Sequence, residues 1–488
     1  MKYGYLLLIY LVLVILSSLK VLPTSMILYG LAAVIVAFLF IRKSKEKKIK
    51  INKYWLILAF LLILIPRVIP YIDNTIPIGY DAGIYKYGIE NKIDQDWEKA
   101  TFEPLFNILI KFLNLIFPST FILTFFLILF ELLIGLSIYL TVKEYFDENT
   151  AILAVLLFAL SFVQFRAFTL LYYKNIIALS LLLLTFYFLK KEDYLKLIIT
   201  GILLAGIHRP TFLIFGLSFL AYTIVKRKKE YFLSGFTIVL FSLALYLDRL
   251  KEALIPGIEG ITSLNIGGGT FLTLTEYKPL ILIYIPFLAI GLYSMIKENK
   301  GGILMYAFLL NFVTVVFSLI FFNRYIISLD LIILIFVAYG LMKVLQDNRV
   351  VGIATIVIIT LFLGYGVFTE ALQINPLIDH EELEEISSLQ NVEENALVMA
   401  TTSYYSPWVL GYSGRETIAP GLFKVNKWNK SKWEEFWGAD YDRAVEMLKE
   451  YDRPLYIHVG KVNRFDTKKF EGECFEPVIK ERVWRVEC

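Results

Sequence analysis

Long apolar runs separated by short polar connections make up most of this chain. A bilayer core of roughly 30 Å takes about twenty apolar residues per helix. On that measure the runs predict about thirteen spans, near 4–20, 23–41, 54–72, 119–142, 150–167, 174–190, 194–208, 210–226, 231–248, 278–296, 303–322, 325–345 and 351–369. The first run, Tyr5 to Leu19, has the basic flank of a signal peptide. It lacks a small-residue cleavage site and leads through Pro23 into the second run, as a retained helical hairpin does. The pattern predicts a mainly α, polytopic membrane protein, with a transmembrane domain over 1–369, a long first loop over 73–118 and a small α/β domain over 370–488. In that last part Glu382 to Leu389 and Asp442 to Tyr451 have helical amphipathicity, and Leu397 to Ala400 and Pro454 to Val459 read as strands. In the first loop the apolar run Leu105 to Phe117 is short and stopped by Pro118, which predicts a helix lying along the membrane surface.

Composition fits this picture, since 58% of the 488 residues are hydrophobic and 19% are charged, outside the range of soluble domains. The net charge of +4 is too small to imply a nucleic-acid partner. Where the cations fall is more informative. They crowd the connections after the second span (Arg42, Lys43, Lys45, Lys47, Lys48, Lys50, Lys53), the sixth (Lys190, Lys191, Lys196), the eighth (Lys226, Arg227, Lys228, Lys229) and the tenth (Lys297, Lys300). Thirteen spans with a cytoplasmic N-terminus put every one of these clusters inside. The same topology puts 73–118, the Tyr172-Tyr173 turn, 249–277 and the tail on the extracytoplasmic side of a plasma membrane.

A few polar residues then stand out. Ile78-Gly79-Tyr80-Asp81-Ala82-Gly83-Ile84-Tyr85 sets a single carboxylate between glycines, with tyrosine faces nearby. Asp81 reads as a general base or as a turn residue accepting local backbone hydrogen bonds. Arg324, His208-Arg209, Lys174, Arg166 and Arg67 fall at outer ends of short or closely spaced spans, where an ionisable group costs roughly 2.5–3.5 kcal/mol to insert. One such cation reads as a side chain reaching for headgroups. Several together, against the positive-inside bias, suit an anionic headgroup, because the planar fork of Arg donates two hydrogen bonds to phosphate. Glu131 and Asp330, deep in spans, read as structural, pairing with a cation or holding a helix interface. Asp94-Gln95-Asp96 has a spacing that suits a divalent ion, a spacing common in polar loops. Trp408, Trp428, Trp433 and Trp437 read as core or interface residues before sugar-stacking faces. Cys474 and Cys488 either bridge or remain free thiols.

At these residues the chain resembles the GT-C superfamily of polytopic glycosyltransferases. Gly79-Tyr80-Asp81 followed by Tyr85 looks like the motif of that family's first external loop, and Glu103-Pro104-Leu105-Phe106 is similar to the acidic-proline stretch that follows it. Lys174-Asn175, His208-Arg209-Pro210-Thr211 and Asn323-Arg324-Tyr325 resemble later external turns. Ser406-Pro407-Trp408 and Gly411-Tyr412-Ser413-Gly414-Arg415 look like tails of archaeal or bacterial members, without an assigned role. The resemblance implies transfer of a sugar from a polyprenyl-phosphate donor to a lipid, glycan or protein acceptor on the outer face. It implies Asp81 as the catalytic base, Arg324 facing the lipid phosphate with His208, Arg209 and Lys174, and Tyr85 and Glu103 in the substrate site. The tail has no Trp-Trp-Asp motif, which argues against an oligosaccharyltransferase. A divalent metal ion at Asp94 and Asp96 is the one cofactor the sequence offers.

The chemistry asks for few groups. Sugar transfer passes through an oxocarbenium-like state. A carboxylate takes the acceptor proton, and preorganised cations stabilise the leaving phosphate. A transporter or flippase of a lipid-linked sugar is the competing reading, and it calls for paired halves with interrupted helices. A non-catalytic membrane scaffold explains the tail but not the sunken cations.

Overall fold

The computed structural model describes residues 2–20, 25–41, 49–251, 271–319, 322–421, 425–463, 465–479 and 482–488. Pro23, the basic run Arg42 to Lys48, most of the expected 249–277 loop and Phe321 lie outside them. A helix occupies the described part of each of the thirteen expected segments. Among the described residues six helices are long and apolar enough to cross a bilayer: Tyr54–Tyr71, Ser119–Tyr145, Tyr173–Lys191, Leu274–Lys297, Phe322–Asp347 and Arg349–Gln373. Glu148–Ala159 and Phe162–Thr169, bent by 50°, make a seventh if taken as one span. Gly4–Ser18, Met26–Ile41, Tyr194–Ile207 and Ile303–Val316 are apolar but shorter. The protein is thus a mainly helical, multi-pass membrane protein. Its outer helices show the apolar faces that only lipid covers, such as Ile57, Leu61 and Ile65, or Ile353, Val357 and Leu361.

The chain packs as two units. The first comprises Met1–Ile72, Glu103–Phe106 and Leu127–Ile374; the second comprises Asp73–Phe102, Asn107–Phe126 and Asn375–Cys488. Most of the expected first loop therefore shares a unit with the expected tail, a different division from a cut at residue 370.

In the first unit Phe322–Asp347 is buried along its whole apolar length. Two deep carboxylates hold helices together around it. Glu131 accepts from Arg67 Nε at 2.9 Å and is ion-paired with Nη2 at 2.8 Å, and the Arg67 guanidinium also lies against the rings of Phe158, Phe165 and Phe168. Arg67, expected among the phosphate-facing cations, is fully buried and spent on this pair. Asp330 meets no cation. It accepts from Ser161 Oγ at 2.8 Å and Gln164 Nε2 at 2.9 Å. Ser161 caps Phe162–Thr169, so these bonds fasten the bent helix pair to Phe322–Asp347.

The second unit holds a five-stranded sheet in the order β2-β1-β3-β5-β4. The strands are β1 (Leu397–Ala400), β2 (Glu416–Ile418), β3 (Leu455–His458), β4 (Phe475–Ile479) and β5 (Val483–Val486). β1 pairs in parallel with β2 and β3, while β5 runs antiparallel to β3 and β4. Every residue of β1 and β3 is buried, as parallel central strands require, and this continuous apolar run is what makes them readable in sequence. Trp428 and Trp433 pack with Phe436, Phe470 and Trp484 in the core beside the sheet, so they serve packing rather than sugar stacking. Pro104–Asn114 is helical as expected, with Ile108 and Phe112 exposed.

Cys474 and Cys488 are bridged, which settles the open alternative, and the link closes the β4–β5 hairpin over a separation of 14 residues. A loop of this size is worth about 3 kcal/mol in the chain-entropy view. Cys488→Ser is expected to speed amide exchange in β4 and β5 markedly. Unchanged protection there would mean that the sheet stands without the bridge.

Candidate active site

Within the first unit a small recess is lined by Asn175, His208, Thr211, Arg324, Tyr325 and Ser328, with apolar Leu179, Pro210 and Ile327 between them. The polar residues come from the first two turns of three helices, Tyr173–Lys191, Arg209–Lys226 and Phe322–Asp347, and from the cap of the second. Each helix N-terminus carries about half a positive charge and unsatisfied N–H groups, so their convergence prepares the recess for an anion. His208 caps the second helix. Its Nδ1 accepts from the Thr211 hydroxyl at 2.7 Å and from the Thr211 amide at 3.4 Å, which puts the ring proton on Nε2.

Arg324 lies over the Tyr172 ring with its guanidinium carbon 6.0 Å from the centroid. Its Nε is buried without a hydrogen-bond partner, and no carboxylate pairs with it among the described residues. The other two cations are countered. Glu103, only 2% exposed, accepts from Lys174 Nζ at 2.8 Å and stands 3.6 Å from Arg209 Nε. Burial pushes the Glu103 carboxyl up, but Lys174, the His208 ring and Arg209 outweigh it and hold it below its ordinary value. Lys174 and Arg209 thus face one carboxylate, and Arg324 near His208 adds a third permanent cation to the cluster.

The stretch around Glu103 is built in rather than hung over the site. A Cβ on Gly206 would lie 2.4 Å from Leu105 Cγ, so only glycine admits Leu105 against the Tyr194–Ile207 helix. Phe106 packs edge-on to Tyr173 at 5.9 Å. Lys174, His208, Arg209, Arg324 and Glu103 are therefore brought together. Arg166 is not among them, since its Nη1 is taken by Glu370 at 2.7 Å. Ser328 escaped the sequence reading, although it lies one helical turn after Arg324 and so on the same face.

Asp81 belongs to the second unit and is described there alone. It sits at the N-cap position of the Ala82–Glu90 helix with φ −78° and ψ 0°, yet its side chain does not cap the helix. The carboxylate is half-buried. Gly79, at φ +96°, makes the left-handed turn before it. Tyr85 is 5% exposed and packed into the helix, so it contributes packing and no open ring face.

Asp94 pairs with Lys92 at 2.9 Å, and Asp96 opens the Asp96–Thr101 helix. The segment is organised by buried Glu98, which accepts the amides of Asp94 and Gln95 and the Tyr87 hydroxyl. Among the described residues no group of three or more His, Cys, Asp or Glu side chains, at Asp94 and Asp96 or elsewhere, is placed to hold a metal.

No protein-family model and no curated protein matches the sequence. Solved structures do. The oligosaccharyltransferase AglB of Archaeoglobus fulgidus in its apo form superposes with a TM-score of 0.62 at 14% identity, over 84% of this chain and 70% of that one. ArnT of Cupriavidus metallidurans gives 0.55 at 9% identity, over 89% of this chain and 97% of its own. The mycobacterial arabinofuranosyltransferase AftD gives 0.52 at 13% identity, over 87% of this chain but only 36% of that one. The chain shares the fold of these membrane transferases. At such identities the likeness speaks for the fold alone, and the chemistry must come from the side chains.

Proposed function

We propose that the protein is an integral-membrane glycosyltransferase that moves a sugar from a polyprenyl-phosphate donor to an acceptor hydroxyl on the extracytoplasmic face. The observation that carries this is the recess where three helix N-termini meet Arg324, an Arg free of any carboxylate partner among the described residues. It suits the phosphate of a lipid carrier. Among proteins of the same fold, one structure of AglB holds a dolichol-phosphate and one of ArnT holds undecaprenyl phosphate.

In the proposed reaction the acceptor oxygen attacks the anomeric carbon as the bond from that carbon to the phosphate oxygen breaks. The bonding pair leaves with the phosphate, whose growing charge Arg324 and the helix N-termini stabilise more in the transition state than in the ground state. The acceptor proton goes to the Asp81 carboxylate. That assignment rests on the sequence setting of Asp81, a single carboxylate between glycines in the first loop. Thirteen spans with a cytoplasmic N-terminus remain the proposed topology. The Cys474–Cys488 bridge supports an outer tail, because disulfides persist in oxidising compartments.

Binding tests the reading most directly. A hydrogen bond to a charged group contributes about 1.5–3 kcal/mol, so Arg324→Ala is expected to weaken undecaprenyl or dolichyl phosphate binding by roughly 10- to 100-fold. Arg324→Lys, which keeps the charge but loses the fork, should fall between. Lipid-phosphate affinity in detergent that is equal in all three proteins would remove Arg324 from the site and the proposal with it.

A further inference from the structure

The tail stretch from Ser406 to Arg415 has no role in the chemistry above, yet the second unit builds it directly onto the Asp81 loop. The Ser406–Ser413 helix is buried throughout. It crosses the Ala82–Glu90 helix with the two backbones in contact. A Cβ on Gly83 would lie 1.8 Å from the Pro407 carbonyl oxygen, and a Cβ on Gly411 would lie 2.1 Å from the Gly83 carbonyl oxygen. Both positions therefore require glycine. The contact falls two residues after Asp81. On its other side, Tyr80 donates its hydroxyl to the Ser403 carbonyl at 2.7 Å, just ahead of the tail helix. One turn further on, Lys86 Nζ lies 4.8 Å from the centre of the Tyr412 ring while pairing with Glu90.

The tail helix is itself fastened to rigid structure. It follows β1 closely, and Tyr405, the residue before it, donates to Glu382 at 2.8 Å and accepts the Val462 amide at 2.8 Å. Trp408 is fully buried and stacks on Tyr412 at 5.5 Å. Tyr80 and Gly83, on either side of Asp81 in sequence, are thus held by the tail.

We propose that the Ser406–Ser413 helix is a positioning element for the reaction, setting the placement of the Asp81 carboxylate through Gly83, Gly411 and Tyr80. It acts on transfer and not on donor binding. The catalytic part of this rests on Asp81 being the base; the mechanical part does not.

Two variants of the full-length protein test it. Gly411→Ala forces the helices apart by on the order of 1 Å, a misplacement that costs about a hundredfold in rate. Tyr80→Phe keeps the ring and removes one hydrogen bond, and serves should the first variant fold poorly; about five- to tenfold is expected. In transfer from dolichyl-phosphate-mannose and undecaprenyl-phosphate-linked sugars, kcat should fall by these factors with donor KM held within about twofold. Amide exchange at 85–90 should rise about tenfold while the membrane helices keep their protection. Wild-type exchange at 85–90 in both variants overturns the clamp. A kcat at the wild-type level, or a KM that rises in step with a falling kcat, overturns its role in positioning. Asp81→Asn run alongside separates the two readings. If that variant transfers normally, the base assignment fails and the exchange data alone decide the mechanical contact.

Discussion

Asp81→Asn is expected to slow sugar transfer by roughly 10²- to 10⁴-fold with donor affinity unchanged. Asparagine keeps the shape of the side chain and loses the ability to take a proton. The local fold should survive, because asparagine is nearly isosteric with aspartate and the turn is set by the positive φ of Gly79. The loss should therefore appear in kcat. Glu103 cannot stand in for the missing base. Its carboxylate is bonded to Lys174 and, despite burial, held below its ordinary pKa by the cations around it, which makes it a poor proton acceptor. Single-turnover measurements on donor-saturated enzyme check this, and a variant as fast as wild type would return Asp81 to the status of a turn residue.

Glu103→Gln should give the other large effect, on stability before activity. Removing one partner from a buried ion pair costs about 3–5 kcal/mol, because the remaining charge is stranded. The lower end, about 3 kcal/mol, applies here, since Lys174 and Arg209 keep 16% and 30% of their side-chain exposure. The pH dependence has a definite sign. A carboxyl whose folded pKa is depressed contributes stability that is fully present above its unfolded value, ordinarily 4.5, and is lost as pH falls through the lowered folded value. The gap in unfolding midpoint between wild type and variant should accordingly be widest near neutrality and close only under acid. A phosphate ligand should narrow it too, because an anion in the recess neutralises the cations that Glu103 no longer serves. Undecaprenyl phosphate that raises both midpoints equally would show that Lys174 and Arg209 do not face the anion.

The bundle was largely readable because membrane helices announce themselves by length and apolarity, and the described part of each expected segment is helical. The motifs at Lys174, His208-Arg209 and Arg324 were legible as cations out of place, and they do converge. Their pairing was not legible. That Glu103 would be the buried counter-ion to two of them, or that Arg67 would be consumed by Glu131, depends on contacts 71 and 64 residues apart in sequence. The tail was half legible. β1 and β3 showed as buried apolar runs, whereas β4, with three exposed residues in five, carries little pattern. Nothing in the sequence marks the glycines at 83 and 411 as partners, and only the crossing of two backbones reveals why no side chain fits there.

The burial of Phe322–Asp347 also bears on how the protein is made. This helix sits at the heart of the first unit but lies late in the chain, and it carries Asp330, whose partners Ser161 and Gln164 come from a helix pair synthesised far earlier. Until it arrives, the bonds that Ser161 and Gln164 make to Asp330 cannot form, and the helices that pack around it lack their centre. The native packing of the first unit is therefore completed only once the chain has been made past residue 347.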